Sequence, residues 1–324
     1  MSTSVLALDP ATYERHRLHT QERSWAETNC YVDVWIELLH GWGFEPLAAL
    51  PFTVAIDFEG DQWTFFKFPH RDLFDLYRID VQELAIWRPM VEHLEEQIGL
   101  GRPVLVELDS FWLPDTAGTA YRLAHVKSTV AAVEIDVAGQ TLGYFHGQGY
   151  YQLQGEDFAN VLRLGMPAGT ELLPPYVEFV KLRSQVAPEG QDLVTASLRL
   201  LDRQLDLLPE GNPFEKFKPR FAADLDWLVH EPLEVFHQYS FATLRQFGAC
   251  YELAATYLDW LGSHDFLGLE KARAAFTALS SGAKSLQFQL ARAMARRRLL
   301  DLEPIDEMAR VWQIAIKELV ARLR

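Results

Sequence analysis

The sequence predicts an α+β protein: a strand-rich N-terminal half that opens on one helix, then a mainly helical C-terminal half. Three observations give that class. Tyr31, Val34, Trp35, Leu38, Leu39 and Trp42 recur at helical spacing. Short apolar runs separated by turn residues fill the stretch from there to about residue 160, as strands do. Near Pro167 to Pro175 the composition changes to Pro, Gly and Thr, and beyond it apolar residues recur with helical period. The expected division is 1–166 and 167–324, a length that suits two ordinary domains.

Residues 1 to about 24 are polar and mixed, with Asp9-Pro10 as an early turn; His16 and His19 read as surface side chains. Asn29 is a good N-cap for the leading helix and places Cys30 in the first turn, while Gly41 and Gly43 are stop signals. Pro51 to Phe58 leans to strand through its β-branched residues, Glu59-Gly60-Asp61 is a turn, and Gln62 to Phe68 is aromatic enough for another strand. Leu84, Trp87, Val91, Leu94 and Ile98 mark an amphipathic helix that stops at Gly99-Leu100-Gly101. Pro103 to Asp109 is a short apolar strand ending in a carboxylate, followed by an aromatic loop over 110–115. His125 opens a β-rich run to Ile135; Asp136 to Gln140 turns it and Thr141 to His146 returns, which makes a hairpin. Tyr150 to Leu153 adds a strand, and Glu156-Asp157-Phe158 begins a helical segment. In the second half Leu193, Leu198, Leu201, Leu205 and Leu208 form a first apolar face. Phe217 to Val229, Val235 to Trp260, Leu269 to Arg298 and Ile305 to Leu323 supply further helices, as a bundle or a lid. No internal repeat is present.

The formal net charge of −15 argues against nucleic acid as the main partner, because phosphate backbones need a basic surface. Two cysteines, Cys30 and Cys250, make no disulfide framework, and no CxxC or clustered Cys/His pattern points to a metal. A reducing, cytoplasmic setting is expected. Met1 to Pro10 lacks the basic and apolar regions of a secretory signal, and no uncharged apolar run reaches the ~20 residues of a membrane span.

The chemistry-bearing pattern is Cys30 at a helix start, Asp109 at the end of one strand and His125 at the start of the next. Unpaired N–H groups and the positive end of the helix dipole stabilise an anion, which is one way a thiol becomes a nucleophile. Such a nucleophile needs a base within ~3 Å and a third group to orient the base. Cys first and His about 95 residues later is the order of a papain-like thiol enzyme, in which a helix supplies the thiolate and a sheet the imidazole.

Three stretches carry a more specific resemblance: Asn29-Cys30-Tyr31, Gly101-Arg102-Pro103-Val104-Leu105-Val106-Glu107-Leu108-Asp109-Ser110-Phe111-Trp112-Leu113-Pro114, and Tyr121-Arg122-Leu123-Ala124-His125-Val126. They look like the N-terminal domain of the butirosin-biosynthesis type of cysteine acyltransferase, a group that resembles papain-like peptidases in fold. The whole chain also resembles a bacterial domain-of-unknown-function family associated with amino acid:carrier-protein ligases. The resemblance covers roughly residues 25 to 160. It implies a transferase that moves an acyl or aminoacyl group from the phosphopantetheine thioester of a carrier protein to a small-molecule amine acceptor. No bound cofactor, metal, nucleic acid or membrane is implied. Cys30 matches as nucleophile and His125 as base.

The chain departs from the papain-like pattern twice. Position 24 is Ser24 rather than a glutamine, so the oxyanion donors would be the Cys30 N–H with Asn29 or another side chain. The returning strand offers Phe145-His146-Gly147, so either Asp109 or His146 could orient His125; a carboxylate stabilises an imidazolium directly and favours Asp109. Two other readings stand beside acyl transfer: a cysteine peptidase or amidase with the same residues, and a non-catalytic interaction protein with a structural Cys30. A helical half large enough to cover the site favours transfer, since excluding water suppresses hydrolysis. Carrier proteins are generally acidic, so docking would use a basic run, and Arg292, Arg296 and Arg297 form the densest one. The same cations could simply offset a helix dipole.

Overall fold

The computed structural model describes residues 3–20, 22–166 and 172–324. The expected linker, Pro167 to Pro175, and the boundary at 166/167 fall largely outside the described residues. The chain forms two compact units, each assembled from separate stretches. The first takes 1–20, 29–46 and 73–187; the second takes 21–28, 47–72 and 188–324.

The first unit is an antiparallel sheet with helices on both faces. Its elements are β1 (Thr3–Ser4), α1 (Cys30–Gly41), the end of α2 (His70–Tyr77), β2 (Ile79–Glu83), α3 (Met90–Gly99) and β3 (Val104–Asp109), followed by β4 (Lys127–Asp136), β5 (Thr141–His146), β6 (Gly149–Gln154), α4 (Glu156–Val161) and β7 (Val177–Leu182). The strand order is β2-β7-β3-β4-β5-β6, with β1 paired to β4. One face buries Val106, Leu108, Val130, Ala132 and Tyr144 against Leu94 and Ile98 of α3. The other face receives α1.

α1 begins where Asn29 accepts a hydrogen bond from the Val32 N–H at 3.0 Å, which satisfies one of the orphan donors of the first turn. Gly43 ends it with φ of +78°, and the Phe44 N–H returns to the Leu39 carbonyl. Gly41 serves packing instead: a Cβ there would stand 2.9 Å from Phe145 Cζ on β5. β4 carries a bulge at Val133. Ala132 faces Tyr144 and Glu134 faces Gly143, so one extra residue lies between two consecutive partners.

Several expectations are corrected here. Leu84 and Trp87 precede the helix, which starts at Met90 behind Pro89; a residue before proline is driven out of the helical region. β2 and β7 are strands that charged residues concealed: Asp80 lies opposite Lys181. His16 and His19 are buried, not at the surface. His19 Nδ1 bonds Glu37 and its Nε2 lies 3.3 Å from Asp33, so two carboxylates one turn apart on α1 hold it. Tyr13 donates to the same Glu37 at 2.5 Å.

The second unit is helical: α5 (Gly190–Leu205), α6 (Pro213–Leu228), α7 (Leu233–Ser240), α8 (Gln246–Ser263), α9 (Glu270–Arg296) and α10 (Glu303–Leu323). The run expected to be continuous from Val235 to Trp260 is broken by a π turn, Phe241–Arg245. Pro51–Val54 is a 3-10 helix, and Gln62 to Phe68 forms no strand; a single bridge joins Phe58 and Trp63. Those aromatics fill a helical core instead: Trp63 packs against Phe214 at 4.9 Å and Phe247 at 4.7 Å between ring centroids.

Candidate functional site

Cys30 is the first residue of α1 and is half-buried. Its thiol donates to Thr129 Oγ1 at 3.6 Å. Thr129 lies opposite Glu107 across the β3–β4 ladder, and Lys127 lies opposite Asp109. Residues directly opposite share a face, so Thr129, Glu107, Lys127 and Asp109 all stand on the side that α1 covers. Lys127 bonds Glu107 at 2.8 Å.

His125 lies just ahead of β4, and its Nδ1 is 2.6 Å from Asp109 Oδ2. An ionised carboxylate only accepts, so Nδ1 carries a proton, and in the neutral ring the lone pair is on Nε2. The other oxygen of Asp109 accepts the Phe111 N–H at 3.1 Å, and the Phe111 ring stacks on the imidazole at 4.4 Å. The side chain of His125 is 70% exposed, with its Nε2 open. Arg122 anchors the segment before it, 4.3 Å over the Trp112 ring and 2.6 Å from Asp157.

The structure therefore brings His125 and Asp109 together. Cys30 is not hydrogen-bonded to either. Four residue steps along the chain separate Thr129 from His125, a span of up to about 13 Å at ~3.3 Å per residue. The group within reach of the thiol is a hydroxyl, which is no general base near neutrality. Asn29 is buried and its side-chain oxygen is engaged in capping. Arg292, Arg296 and Arg297 are exposed, and Arg297 ends α9 in the left-handed conformation. None of the three forms an ion pair among the described residues.

His146 belongs to a different assembly. Its Nδ1 is 2.5 Å from Asp115 Oδ2 and its Nε2 is 2.6 Å from Ser128 Oγ, with both the histidine and Asp115 buried. Tyr144 donates to the other Asp115 oxygen at 2.5 Å. Successive β4 side chains alternate faces, so Ser128 and Thr129 point to opposite sides of the sheet. His146 accordingly stands behind the sheet from the thiol.

Sequence reasoning missed one neighbour of the thiol. Tyr31, next to Cys30, donates to Glu178 Oε2 at 2.8 Å, and Tyr176 donates to Oε1 at 2.9 Å. Burial, and then the Glu178 carboxylate, push the Tyr31 phenol far up; burial and its bond to Glu178 push Tyr176 up to about 12. Both phenols stay protonated and hold a buried carboxylate beside the start of α1. The only signal in the sequence is the aromatic-acid spacing Tyr176-Val177-Glu178.

The first unit is thus an antiparallel sheet with a helix-borne thiol and an oriented histidine–carboxylate pair on one face. Residues 14–182 match the family model of the DUF1839 N-terminal domain and residues 190–321 that of the DUF1839 C-terminal domain. The chain belongs to the DUF1839 family, a domain-of-unknown-function family, and these matches lend nothing to the butirosin-type resemblance. No curated protein matches the chain. No helix among the described residues is long and apolar enough to cross a membrane, and no group of His, Cys, Asp and Glu among them could hold a metal ion.

Proposed function

We propose that the protein is a cysteine-dependent acyltransferase of papain-like design. Cys30 takes an acyl or aminoacyl group from the phosphopantetheine thioester of a carrier protein and passes it to an amine. The observation that carries this reading is the His125–Asp109 pair, oriented and open at Nε2, on the sheet face that also presents the half-buried Cys30 thiol. In the first step His125 Nε2 takes the Cys30 thiol proton, the sulfur attacks the thioester carbon, the carbon–sulfur bond to the pantetheine arm breaks, and the arm leaves as a thiol with that proton from His125. In the second step an amine attacks the Cys30 thioester and gives a proton to His125, which passes it to the departing Cys30 sulfur as the carbon–sulfur bond breaks. His125 must come within ~3 Å of Sγ for this; such contacts often tighten only when substrate is bound.

Intact-mass measurement after incubation with a panel of acyl and aminoacyl carrier proteins tests the reading. The wild type should gain the acyl mass and Cys30→Ala should gain none while keeping its melting temperature. A Cys30→Ala chain that still loads would sink the mechanism. Release of the loaded acyl group to water with no amine product would instead favour a cysteine peptidase or amidase. Absence of loading across the panel would favour a non-catalytic interaction protein. For carrier docking, Arg296→Glu with Arg297→Glu should weaken use of the carrier-bound donor at low salt and spare an acyl-N-acetylcysteamine donor.

A further inference from the structure

Two cations of the second unit, Arg245 and Lys284, flank the segment 25–28, and the exposed Glu27, paired with Arg245 at 3.6 Å, is the one acid that pairs with either among the described residues. Arg245, the last residue of the π turn, donates from Nε to the Thr28 carbonyl at 2.9 Å and from Nη2 to the Glu27 carbonyl at 3.1 Å. Its Nη1 has no partner among the described residues, and the nearest acid, the exposed Glu27 carboxylate, is 3.6 Å from Nη2. Lys284 of α9 holds its ammonium 3.8 Å from the centroid of the Trp25 ring and makes no ion pair among the described residues. Trp25 is itself pinned: its indole N–H donates to Ser280 at 3.0 Å, and its ring fills a notch over Gly248, where a Cβ would meet it at 2.5 Å. Glu252, the acid whose charge bears on Lys284, accepts from the Ser24 and Trp25 N–H groups and pairs with Arg23 at 3.3 Å.

Holding two positive groups together costs free energy that a carboxylate would ordinarily offset. Burial, and then the charge of Arg245, lower the pKa of the Lys284 ammonium below the usual lysine range. In a chain of net charge −15 the arrangement is against the overall balance. A planar guanidinium tied to backbone carbonyls, with one amino group left over, and a point charge fixed on an indole suit a tetrahedral anion.

We propose that Arg245 and Lys284 form a binding site for a phosphate group. The phosphate can be free or carried by an ester such as the phosphopantetheine arm; only the second source rests on the acyl-transfer reading, and the site itself does not.

Calorimetric titration of the full chain carrying Cys30→Ala removes thioester chemistry from the test. The probes are inorganic phosphate, 4′-phosphopantetheine and pantetheine. Phosphate and phosphopantetheine should bind saturably at low salt, and pantetheine at least about 10-fold more weakly than its phosphate ester. Lys284→Met and Arg245→Gln should each weaken phosphate binding by about 10-fold or more, since each removes a charge-assisted contact. Lys284→Met keeps the stem over Trp25, so an unchanged melting temperature separates lost binding from lost folding. Phosphopantetheine binding tighter than phosphate would name the donor arm as the source; equal affinities would keep the phosphate site and remove that source. No saturable phosphate binding, or binding unaltered by Lys284→Met, would overturn the proposal. Acyl loading of Cys30 in the wild type is scored separately, so either idea can fail alone.

Discussion

The sheet of the first unit carries two histidine–carboxylate pairs with nearly equal bond lengths and opposite surroundings. His125 and Asp109 meet at 2.6 Å at the exposed end of β4, on the side that α1 covers. His146 and Asp115 meet at 2.5 Å behind the sheet, buried, with Ser128 closing the second ring nitrogen and Tyr144 the second carboxylate oxygen. The difference lies in what is left over. The exposed pair leaves one ring nitrogen without a partner among the described residues, and the buried pair has spent both ring nitrogens and both carboxylate oxygens on its neighbours. A buried polar network of that kind contributes order and stability because each unmade bond inside it is costly.

Exchanging the two histidines for asparagine breaks the comparison most directly. His125→Asn should lower acyl transfer by a factor of ~10² to 10⁴, the usual weight of a general base, and leave the melting temperature nearly unchanged. His146→Asn should do the reverse, sparing turnover per folded molecule and costing ~1–3 kcal/mol of stability, read by denaturant unfolding. If His146→Asn abolished transfer and His125→Asn spared it, the chemistry would belong behind the sheet.

A smaller effect compares the two cysteines. Cys250 is wholly buried, its thiol 3.5 Å from the Thr53 carbonyl, and burial pushes its pKa well above the ordinary value. Iodoacetamide at neutral pH should therefore modify Cys30 alone in the native chain, as peptide mapping would read. Comparable labelling of Cys250 would mean that the native helical packing opens on the timescale of the reaction.

The smallest effect concerns a third histidine site, His19 with the two carboxylates of Glu37 and Asp33. Burial lowers the imidazole pKa, but the bonds and charges of Asp33 and Glu37 outweigh it and raise the value to about 9, against 6.5 for a free histidine. The folded value lies above the unfolded one, so the contribution to stability is full below pH 6.5 and is lost as pH rises through about 9. The melting temperature should fall by on the order of 5 °C between pH 6.5 and 9.5 from this source. His19→Gln should flatten that slope; an equally steep slope in the variant would assign the loss to other groups.

These pairs also mark how far the sequence could be read. β3, the β4–β5 hairpin and α1 were legible because their apolar period and turn residues agree locally, and so were the capped Cys30 and the His125 that opens the β4 run. The partners of His146 were not, because Asp115 and Ser128 reach it only through the folding of a loop and the facing of two strands. Aromatics at 62–68 carry the composition of a strand, yet pack onto helices, and composition alone does not separate the two. β2 and β7 meet across about a hundred residues of chain, as Asp80 and Lys181 do. For His19 a signal was present and unused: Asp33 and Glu37 sit one turn apart on a helix that is, His40 aside, apolar, and buried acids require a cation.

The bulge at Val133 has a consequence for how this gene can lose a codon. Removing any one residue between Ser128 and Ala131 would swap the facing of those next to it, turning Ser128 toward α1 or Thr129 away from the thiol. Removing Val133 itself would leave Ala132 opposite Tyr144 and Glu134 opposite Gly143, now as a regular ladder with every remaining side chain on its present face. The losses would be one buried valine and the carbonyl that accepts the Val5 N–H at 2.8 Å. Length variation in β4 is therefore admissible at one position and lethal to the pattern at its neighbours.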